Sequence, residues 1–343
     1  MNRPLPVSPF LLAAWLLLLP ATLNAQTQAE PTYAEQLGWP KGSRVVILHI
    51  DDAGMSYDSN LGAIRALEKG VATSVSVMMP CPWVPGFVRY LKEHPGVDAG
   101  LHLTLTSEWK DYRWGPLTGT AAKGLVDPEG ALWRDVAGVV GHATPDEVEA
   151  EIRAQLARAQ SMGFAPTHLD SHMGTLFANP AFLERYLKLG IETGIPVMFP
   201  GGHNTLIAQQ MGSGNDQVAQ ARLVGKKLWD AGLPVLDDLH NASYGWDLPA
   251  GTAYTPGKLK SFKTERYITA LKTLQPGVTM IIMHCTAPTE TFKHISDSGA
   301  TREGDLLAML DPALRKAIQD QKIILTTWRE LKERRAKAGK AQK

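Results

Sequence analysis

The stretch of sequence that decides the fold is residues 44–54, RVVILHIDDAG. Residues 44–50 are mostly apolar, which predicts a strand buried on both faces of a parallel sheet. Asp51 and Asp52 follow at the end of that strand. Two adjacent carboxylates there cost on the order of several kcal/mol unless their charge is compensated. A bound metal ion would compensate one of them while the other stays free as a general base; an Asp-rich turn capped by its own backbone is the alternative.

Strand and helix signals alternate after this first strand, which indicates the α/β class. Polar motifs stand at the C-terminal ends of strands all along the chain, where barrel enzymes carry their active sites. We therefore expect a parallel (β/α) barrel of the TIM-like type, with seven or eight strands, rather than an open sheet. The predicted strands cover residues 44–50, 73–79, 97–105, 167–170, 196–199, 233–239, 278–284 and 323–327, and the predicted helices cover residues 59–69, 145–163, 180–190, 218–230 and 264–274.

The composition is that of a soluble globular protein. The 343 residues are 44% hydrophobic and 20% charged, and the formal net charge of +1 gives no sign of a nucleic-acid partner. We assign residues 43–331 to one barrel domain, residues 26–42 to a linker or entry segment, and residues 332–343 to a basic tail. That tail is either a solvated, frayed helix end or an arm for nucleic acid or membranes. The composition does not predict an oligomeric state.

Residues 1–25 carry the three parts of a secretory signal peptide: a lone basic residue, an apolar run over residues 10–19, and small residues at 21–25. The run is shorter than the about 20 residues that span a bilayer, and an uncleaved anchor is the alternative. We expect an exported protein, periplasmic or secreted, without stable membrane insertion once the signal is cleaved. Export permits disulfides, so Cys81 and Cys285 either pair or are small buried residues.

Two further motifs carry side chains that bind metals. In residues 100–106, GLHLTLT, strand alternation places His102 opposite the leucines, toward the interior of a barrel. In PTHLDSH, which ends at His172, the same alternation lets His168, Asp170 and His172 face one way. The alternatives are a hydrogen-bonded core histidine and a polar strand exit. One aspartate and two histidines from three strand ends suit one divalent ion, Zn²⁺ or Mg²⁺, with positions open for water and substrate, and Asp170 would hold a ligand histidine in place.

The combination resembles the YdjC-like carbohydrate deacetylases, the family of the chitooligosaccharide deacetylases. The resemblance implies a (β/α) barrel with a metal site formed by Asp52, His102 and His172. It further implies that Asp51 is the general base that activates water, and that His284 is the general acid. The similar motifs, in the family's order and approximate spacing, are IDDAGMS at 50–56, TSVSVMM at 73–79, GLHLTLT at 100–106 and THLDSH at 167–172, within a resemblance that covers residues 44–330.

Two departures from the family pattern bear on specificity. The third motif continues as DSHMGTLF, where the family often has further histidines, so any substrate contacts made by those histidines are lost. Residues 284–286 read His-Cys-Thr where Cys-His-Pro is usual, which leaves the register of the general acid open. Neither departure touches the three expected metal ligands.

We therefore expect a metal-dependent hydrolase that removes N-acetyl groups from amino sugars or oligosaccharides, with a small carbohydrate as its partner. One alternative is a metal-dependent hydrolase of ester or phosphate bonds. Another is an exported carbohydrate-binding protein on a degenerate barrel, in which tryptophans of residues 107–142 stack on sugars instead of packing in the core. His203, His240 and Asp247 either line the cleft or are ordinary loop residues.

Overall fold

The computed structural model of the protein describes residues 30–212 and 214–341, with side chains up to residue 339. The described residues from 31 onward form one compact unit. The predicted signal peptide, residues 1–25, lies outside the described residues. No helix within the described ranges is long and apolar enough to cross a membrane.

In the described part of the chain, seven strands form one sheet in which every pairing is parallel. The strands are β1 (Arg44–Ala53), β2 (Ser74–Val77), β3 (Ala99–Leu103), β4 (Leu169–Ser171), β5 (Asp238–His240), β6 (Gly277–Met283) and β7 (Ile324–Leu325). Their order is β4-β3-β2-β1-β6-β5, and β7 pairs with β1 near its start. The α/β class and its parallel sheet are confirmed in the form of a half-barrel.

The interval between β4 and β5 contains isolated bridges in place of a ladder. Leu169 pairs with Val197, and Pro200 pairs with Leu236, each through a single parallel bridge. The segment predicted as a strand at 196–199 begins with Pro196 and is followed by Pro200, and proline has no N–H to donate to a ladder. Closure into a complete TIM-like barrel therefore stays a prediction.

The first strand lies in the centre of the sheet, as its apolar sequence predicts. Every residue of β1 after Arg44 is buried. It pairs with β6 from Arg44 to Ile50 and with β2 from His49 onward. Burial on both faces explains why this segment carries no alternation of polar and apolar residues.

Helices cover the sheet and connect its strands. The helix predicted at 145–163 begins with a capping box, in which Thr144 and Glu147 hydrogen-bond each other's backbone. The helix predicted at 59–69 ends at Lys69 as expected, with Gly70 as its C-cap. The helices are α1 (Tyr33–Gln36), α2 (Tyr57–Lys69), α3 (Val84–Glu93), α4 (Val136–His142), α5 (Pro145–Ser161), α6 (Pro180–Thr193), α7 (Thr205–Met211), α8 (Asn215–Asp230), α9 (Pro256–Thr273), α10 (Gly299–Met309), α11 (Pro312–Asp320) and α12 (Trp328–Ala341).

The loop after β6 lies directly against α2. A Cβ atom added at Gly62 would stand 2.4 Å from the carbonyl oxygen of Cys285, so only glycine permits this approach.

Cys285 and Cys81 are both buried free thiols. In this structure the two cysteines are therefore small buried residues rather than a disulfide.

Two of the tryptophans between residues 107 and 142 pack against other groups of the protein, Trp114 in the core and the half-buried Trp133 at its edge. Trp114 is buried and donates its indole N–H to the carbonyl of Thr106 at 2.9 Å. Trp133 stacks on His142, with 3.9 Å between ring centroids. These two tryptophans therefore serve packing, which is the alternative to stacking on sugars.

The predicted basic tail, residues 332–343, is helical as far as Ala341 and belongs to α12. The guanidinium carbon of Arg334 lies 4.0 Å from the ring centroid of Trp39, and that of Arg335 lies 4.1 Å from the ring centroid of Trp229. These contacts fasten α12 to the rest of the compact unit.

Candidate metal centre and catalytic site

The predicted site residues come together at the C-terminal edge of the sheet. Asp51 and Asp52 lie near the end of β1, and His102 lies in β3. His172 directly follows β4, and His284 directly follows β6. Parallel strands bring these ends to one edge, which is why four motifs far apart in sequence form one site.

An irregularity in β1 allows both aspartates to face this site. Asp52 has a φ angle of 67°, a left-handed conformation that aspartate tolerates better than most residues. The register between β1 and β2 shifts between Ile50 and Ala53. In a regular strand, neighbouring side chains point to opposite faces, so the shift is what lets Asp51 and Asp52 act together.

Three ligand atoms converge at the centre of the site. Asp52 Oδ1 lies 3.3 Å from His102 Nε2 and 3.3 Å from His172 Nδ1, and the two nitrogens are 3.1 Å apart. Ligands about 2.0–2.2 Å from a tetrahedral ion are about 3.3–3.6 Å from one another, so this spacing is close to what one small divalent cation requires. Asp52 Oδ1 is buried and has no hydrogen-bond partner among the described residues. We call Asp52, His102 and His172 the triad.

Each histidine of the triad is held from behind by a carboxylate. His102 Nδ1 lies 2.7 Å from Asp170 Oδ1, and His172 Nε2 lies 3.1 Å from Glu108 Oε2. A carboxylate that accepts one ring N–H leaves the other nitrogen free to face an ion. Burial lowers the pKa of His172, but the negative charges of Glu108 and Asp52 outweigh it and raise that pKa to about 9. The two histidines therefore offer opposite ring nitrogens to the centre of the site.

Two other groups in the described residues have spacings compatible with a metal ion: His49 with His168 and Asp170, and Asp51 with His102 and Asp170. Both groups rely on Asp170. The oxygens of Asp170 already lie 2.7 Å from His102 Nδ1 and 2.9 Å from His49 Nε2. Because these atoms are paired with each other, the triad is the better candidate for a metal centre.

A buried arginine neutralises the second oxygen of Asp52. Arg302 Nη1 donates to Asp52 Oδ2 at 2.7 Å, and Arg302 Nε donates to Ser298 Oγ at 2.8 Å. The guanidinium carbon lies 5.7 Å from the ring centroid of Trp109 and 5.2 Å from that of Tyr244. Burial raises the pKa of Asp52, but the charge of Arg302 outweighs it and holds that pKa well below its usual value. Asp52 is therefore ionised, and its other oxygen faces the two histidines of the triad.

Asp51 is anchored by one oxygen and faces the site with the other. Its Oδ1 lies 3.2 Å from His49 Nε2, whereas its Oδ2 lies 3.7 Å from His102 Nε2 and 3.9 Å from His284 Nε2. His49 is fully buried. Burial lowers the pKa of His49, but hydrogen bonds to Asp170 and Asp51 outweigh it and raise that pKa to about 9. The free oxygen of Asp51 is thus placed for proton transfer next to the triad.

His284 completes the polar lining of the site. Its Nε2 lies 3.9 Å from Asp51 Oδ2 and 4.0 Å from Asp52 Oδ2. Its backbone N–H donates to Asp305 Oδ2 at 3.0 Å, which fixes the position of the residue. Burial lowers the pKa of His284.

The sequence motifs missed His49, Glu108 and Arg302 as functional residues. His49 carries a signal that could have found it, because strand alternation places it on the same side as Asp51. Glu108 lies in an irregular insertion that shows no periodicity. Arg302 lies 250 residues after Asp52, so only the fold brings the two together.

The unassigned histidines and aspartate belong to none of the described groups with metal-compatible spacing. His203 Nδ1 lies 3.4 Å from Asp238, whose carboxylate accepts backbone N–H groups at the start of α7. His240 packs against Trp246, with 5.3 Å between ring centroids. Asp247 is exposed.

Comparison with known sequences agrees with these motifs. A sequence model of the family described as YdjC-like protein matches residues 45–320. A protein named carbohydrate deacetylase from Thermus thermophilus is 31% identical over 294 residues, which cover 85% of this chain and 95% of that protein. A chitooligosaccharide deacetylase from Yersinia enterocolitica is 32% identical over 133 residues, which cover 38% of this chain and 49% of that protein.

A solved structure shares the fold over most of the chain. It is described as that of a candidate cellobiose-phosphate cleavage protein from Enterococcus faecalis. The TM-score is 0.66 at 18% sequence identity, and the match covers 84% of this chain and 99% of that chain. At this identity the likeness concerns the fold alone.

Proposed function

The chain belongs to the YdjC-like family, and on that premise we propose that it is a metal-dependent deacetylase that removes N-acetyl groups from amino sugars or their oligosaccharides. The observation that carries this proposal is the convergence of the three triad atoms within 3.1–3.3 Å of one another. Asp51 and His284 face the same point, so a proton acceptor and a proton donor stand beside the proposed ion. The names of the relatives supply the carbohydrate as the substrate class.

The proposed reaction is amide hydrolysis: water adds to the acetyl carbon, and the carbon–nitrogen bond breaks to give acetate and an amine. A divalent ion held by the triad supplies the positive charge that activates water and polarises the carbonyl. Asp51 accepts the proton of the water through the oxygen that faces the triad. His284 in its protonated form donates a proton to the leaving nitrogen. Arg302 keeps Asp52 ionised and oriented throughout.

The donor set bears on which ion the site prefers. Two imidazole nitrogens and one carboxylate oxygen, with further positions for water and substrate, suit Zn²⁺ well. Mg²⁺ prefers oxygen ligands and keeps several water molecules, so it is the second ion to test. We propose Zn²⁺ as the resident ion.

Elemental analysis and acetate release test the proposal together. We expect one divalent ion per chain in the wild type, and loss of both the ion and activity in His102→Ala and His172→Ala. His294→Ala changes an exposed histidine of a short helical turn and serves as the matched control, with wild-type values for both. A wild-type protein that binds neither Zn²⁺ nor Mg²⁺ after dialysis would refute the mechanism.

The same assay separates the rival functions. Acetate release from an N-acetylated amino sugar supports the deacetylase. Release of phosphate or of an ester-linked acyl group, with the amide untouched, would assign the site to another bond. Sugar binding without a bound ion and without acetate release would indicate a degenerate barrel.

We also propose that residues 1–25 are a signal peptide and that the mature protein is exported. The support is the order of a basic residue, an apolar run and small residues at the N-terminus. N-terminal sequencing of protein from the periplasmic fraction and from the culture medium tests it. A new N-terminus near residue 26 supports export, and a full-length chain confined to the cytoplasm refutes it.

A further inference from the structure

A buried lysine that takes no part in the proposed reaction holds a short segment beside the site. Lys263 of α9 is fully buried. Its Nζ lies 3.0 Å from Asp305 Oδ1 and donates to the carbonyl of Ser243 at 2.7 Å and to Thr301 Oγ1 at 2.8 Å. An ammonium group is buried at acceptable cost only when it is paired and hydrogen-bonded. These contacts therefore fix the 3₁₀ turn Ser243–Gly245.

Tyr244 is the residue that this arrangement presents to solvent. Its carbonyl accepts a hydrogen bond from Thr301 Oγ1 at 3.1 Å. The hydroxyl of the preceding residue, Ser243, donates to the carbonyl of Ile282 at 2.7 Å. The backbone of the turn is thus fixed on both sides. Tyr244 itself is 41% exposed to solvent. A fixed backbone with an open aromatic ring is a feature that packing alone does not require.

The ring of Tyr244 borders the proposed proton donor. Its centroid lies 4.8 Å from that of the His284 ring, with an interplanar angle of 68°. The guanidinium carbon of Arg302 lies over the ring at 5.2 Å. In the proposed reaction, the nitrogen that receives the proton of His284 is bonded to a carbon of the sugar ring. The sugar must therefore lie on the His284 side of the site, next to Tyr244.

We propose that Tyr244 is the wall against which the sugar ring of the substrate packs, and that the Lys263–Asp305 pair holds this wall in register with His284. A pyranose ring has apolar C–H faces and a polar rim, and an aromatic ring with a polar tip complements both. Asp305 binds Lys263 with one oxygen and accepts the N–H of His284 with the other. The Lys263–Asp305 pair thus positions both His284, the proposed proton donor, and Tyr244. This inference rests on the proposed deacetylase function.

Steady-state acetate release from N,N′-diacetylchitobiose tests the role of the ring. We expect Tyr244→Leu to raise KM by about three- to tenfold with kcat changed by less than about twofold, because the variant loses stacking and keeps the reacting groups. Tyr244→Phe keeps the ring and is expected to restore KM. Tyr254→Leu is the matched control, since Tyr254 is 49% exposed and contacts Glu303 outside the site. Thr301→Val removes one of the two hydrogen-bond links between Lys263 and the turn, the one that runs through the carbonyl of Tyr244, and is expected to raise KM in the same direction.

The outcomes separate this inference from the function on which it rests. A wild-type KM in Tyr244→Leu, or an equal loss in Tyr244→Phe and Tyr244→Leu, overturns the role of the ring while the enzyme remains a deacetylase. A wild-type KM in Thr301→Val overturns the role of the link through Thr301 in holding the ring. Absence of acetate release by the wild-type protein from any acetylated amino sugar overturns the proposed function and this inference with it.

Discussion

The carboxylate behind His172 can be tested by one charge-neutralising change. Glu108→Gln keeps the shape of the side chain and removes the charge that lies 3.1 Å from His172 Nε2. Loss of such a partner costs about 10–100-fold in metal affinity, or about 1.4–2.7 kcal/mol. Glu108 makes one such contact and its side chain is 20% exposed, so we expect about a tenfold loss. Asp170 is nearly fully buried and holds both His102 and His49, so Asp170→Asn is expected to lose about 100-fold.

Competition with a chromophoric zinc chelator at fixed pH measures these affinities, and thermal unfolding checks that each variant is folded. Glu129→Gln is the matched control, because Glu129 lies in the same insertion and binds Arg113 and Arg134 instead of a triad histidine. Its affinity for Zn²⁺ is expected to equal that of the wild type. Wild-type affinity in Glu108→Gln, or a greater loss there than in Asp170→Asn, would refute the reasoning.

Three further changes test the base, the buried ion pair and the buried histidine. Asp51→Asn is expected to lower kcat by about 10²–10⁴-fold while elemental analysis shows an unchanged metal content; normal turnover would exclude Asp51 as the base. Lys263→Met leaves Asp305 buried without its cation and is expected to lower the free energy of unfolding in urea by about 3–5 kcal/mol, and a loss below about 1 kcal/mol would contradict this. His49 has a pKa of about 9 in the folded, metal-free protein, against about 6.5 when unfolded, so the stability it contributes is complete below about pH 6.5 and is lost as pH rises through about 9. That contribution is on the order of 3 kcal/mol, and urea titrations from pH 6 to 9 should show it in the wild type but not in His49→Asn; parallel pH profiles would contradict it.

The extent to which the fold could be predicted differs between its strands. Residues 44–50 predict β1 because a strand covered on both faces is mostly apolar, without a polar residue at every second position. The segment at 196–199 has a similar apolar sequence, yet only Val197 forms a bridge there. Its pairing depends on backbone groups of distant segments and is limited by flanking prolines, and apolar composition reports neither.

The site could be predicted where its residues lie in short motifs at strand ends. Asp52, His102 and His172 each lie in such a motif, the resemblance to the YdjC-like family implies them as ligands, and the structure brings them together. Arg302 and Tyr244 come from a helix and a turn whose local sequences show no sign of a site. Their positions result from tertiary packing, which a single sequence read by local pattern does not contain.

His102 faces the centre of the site with Nε2, whereas His172 faces it with Nδ1. The two histidines therefore differ in which other side chains could replace them. An asparagine amide reaches about as far as imidazole Nδ1, and a glutamine amide reaches about as far as Nε2. Asparagine at position 172 and glutamine at position 102 would each retain an oxygen near the ion, whereas the exchanged pair would not. The two histidines therefore tolerate different replacements, even though both face the same proposed ion.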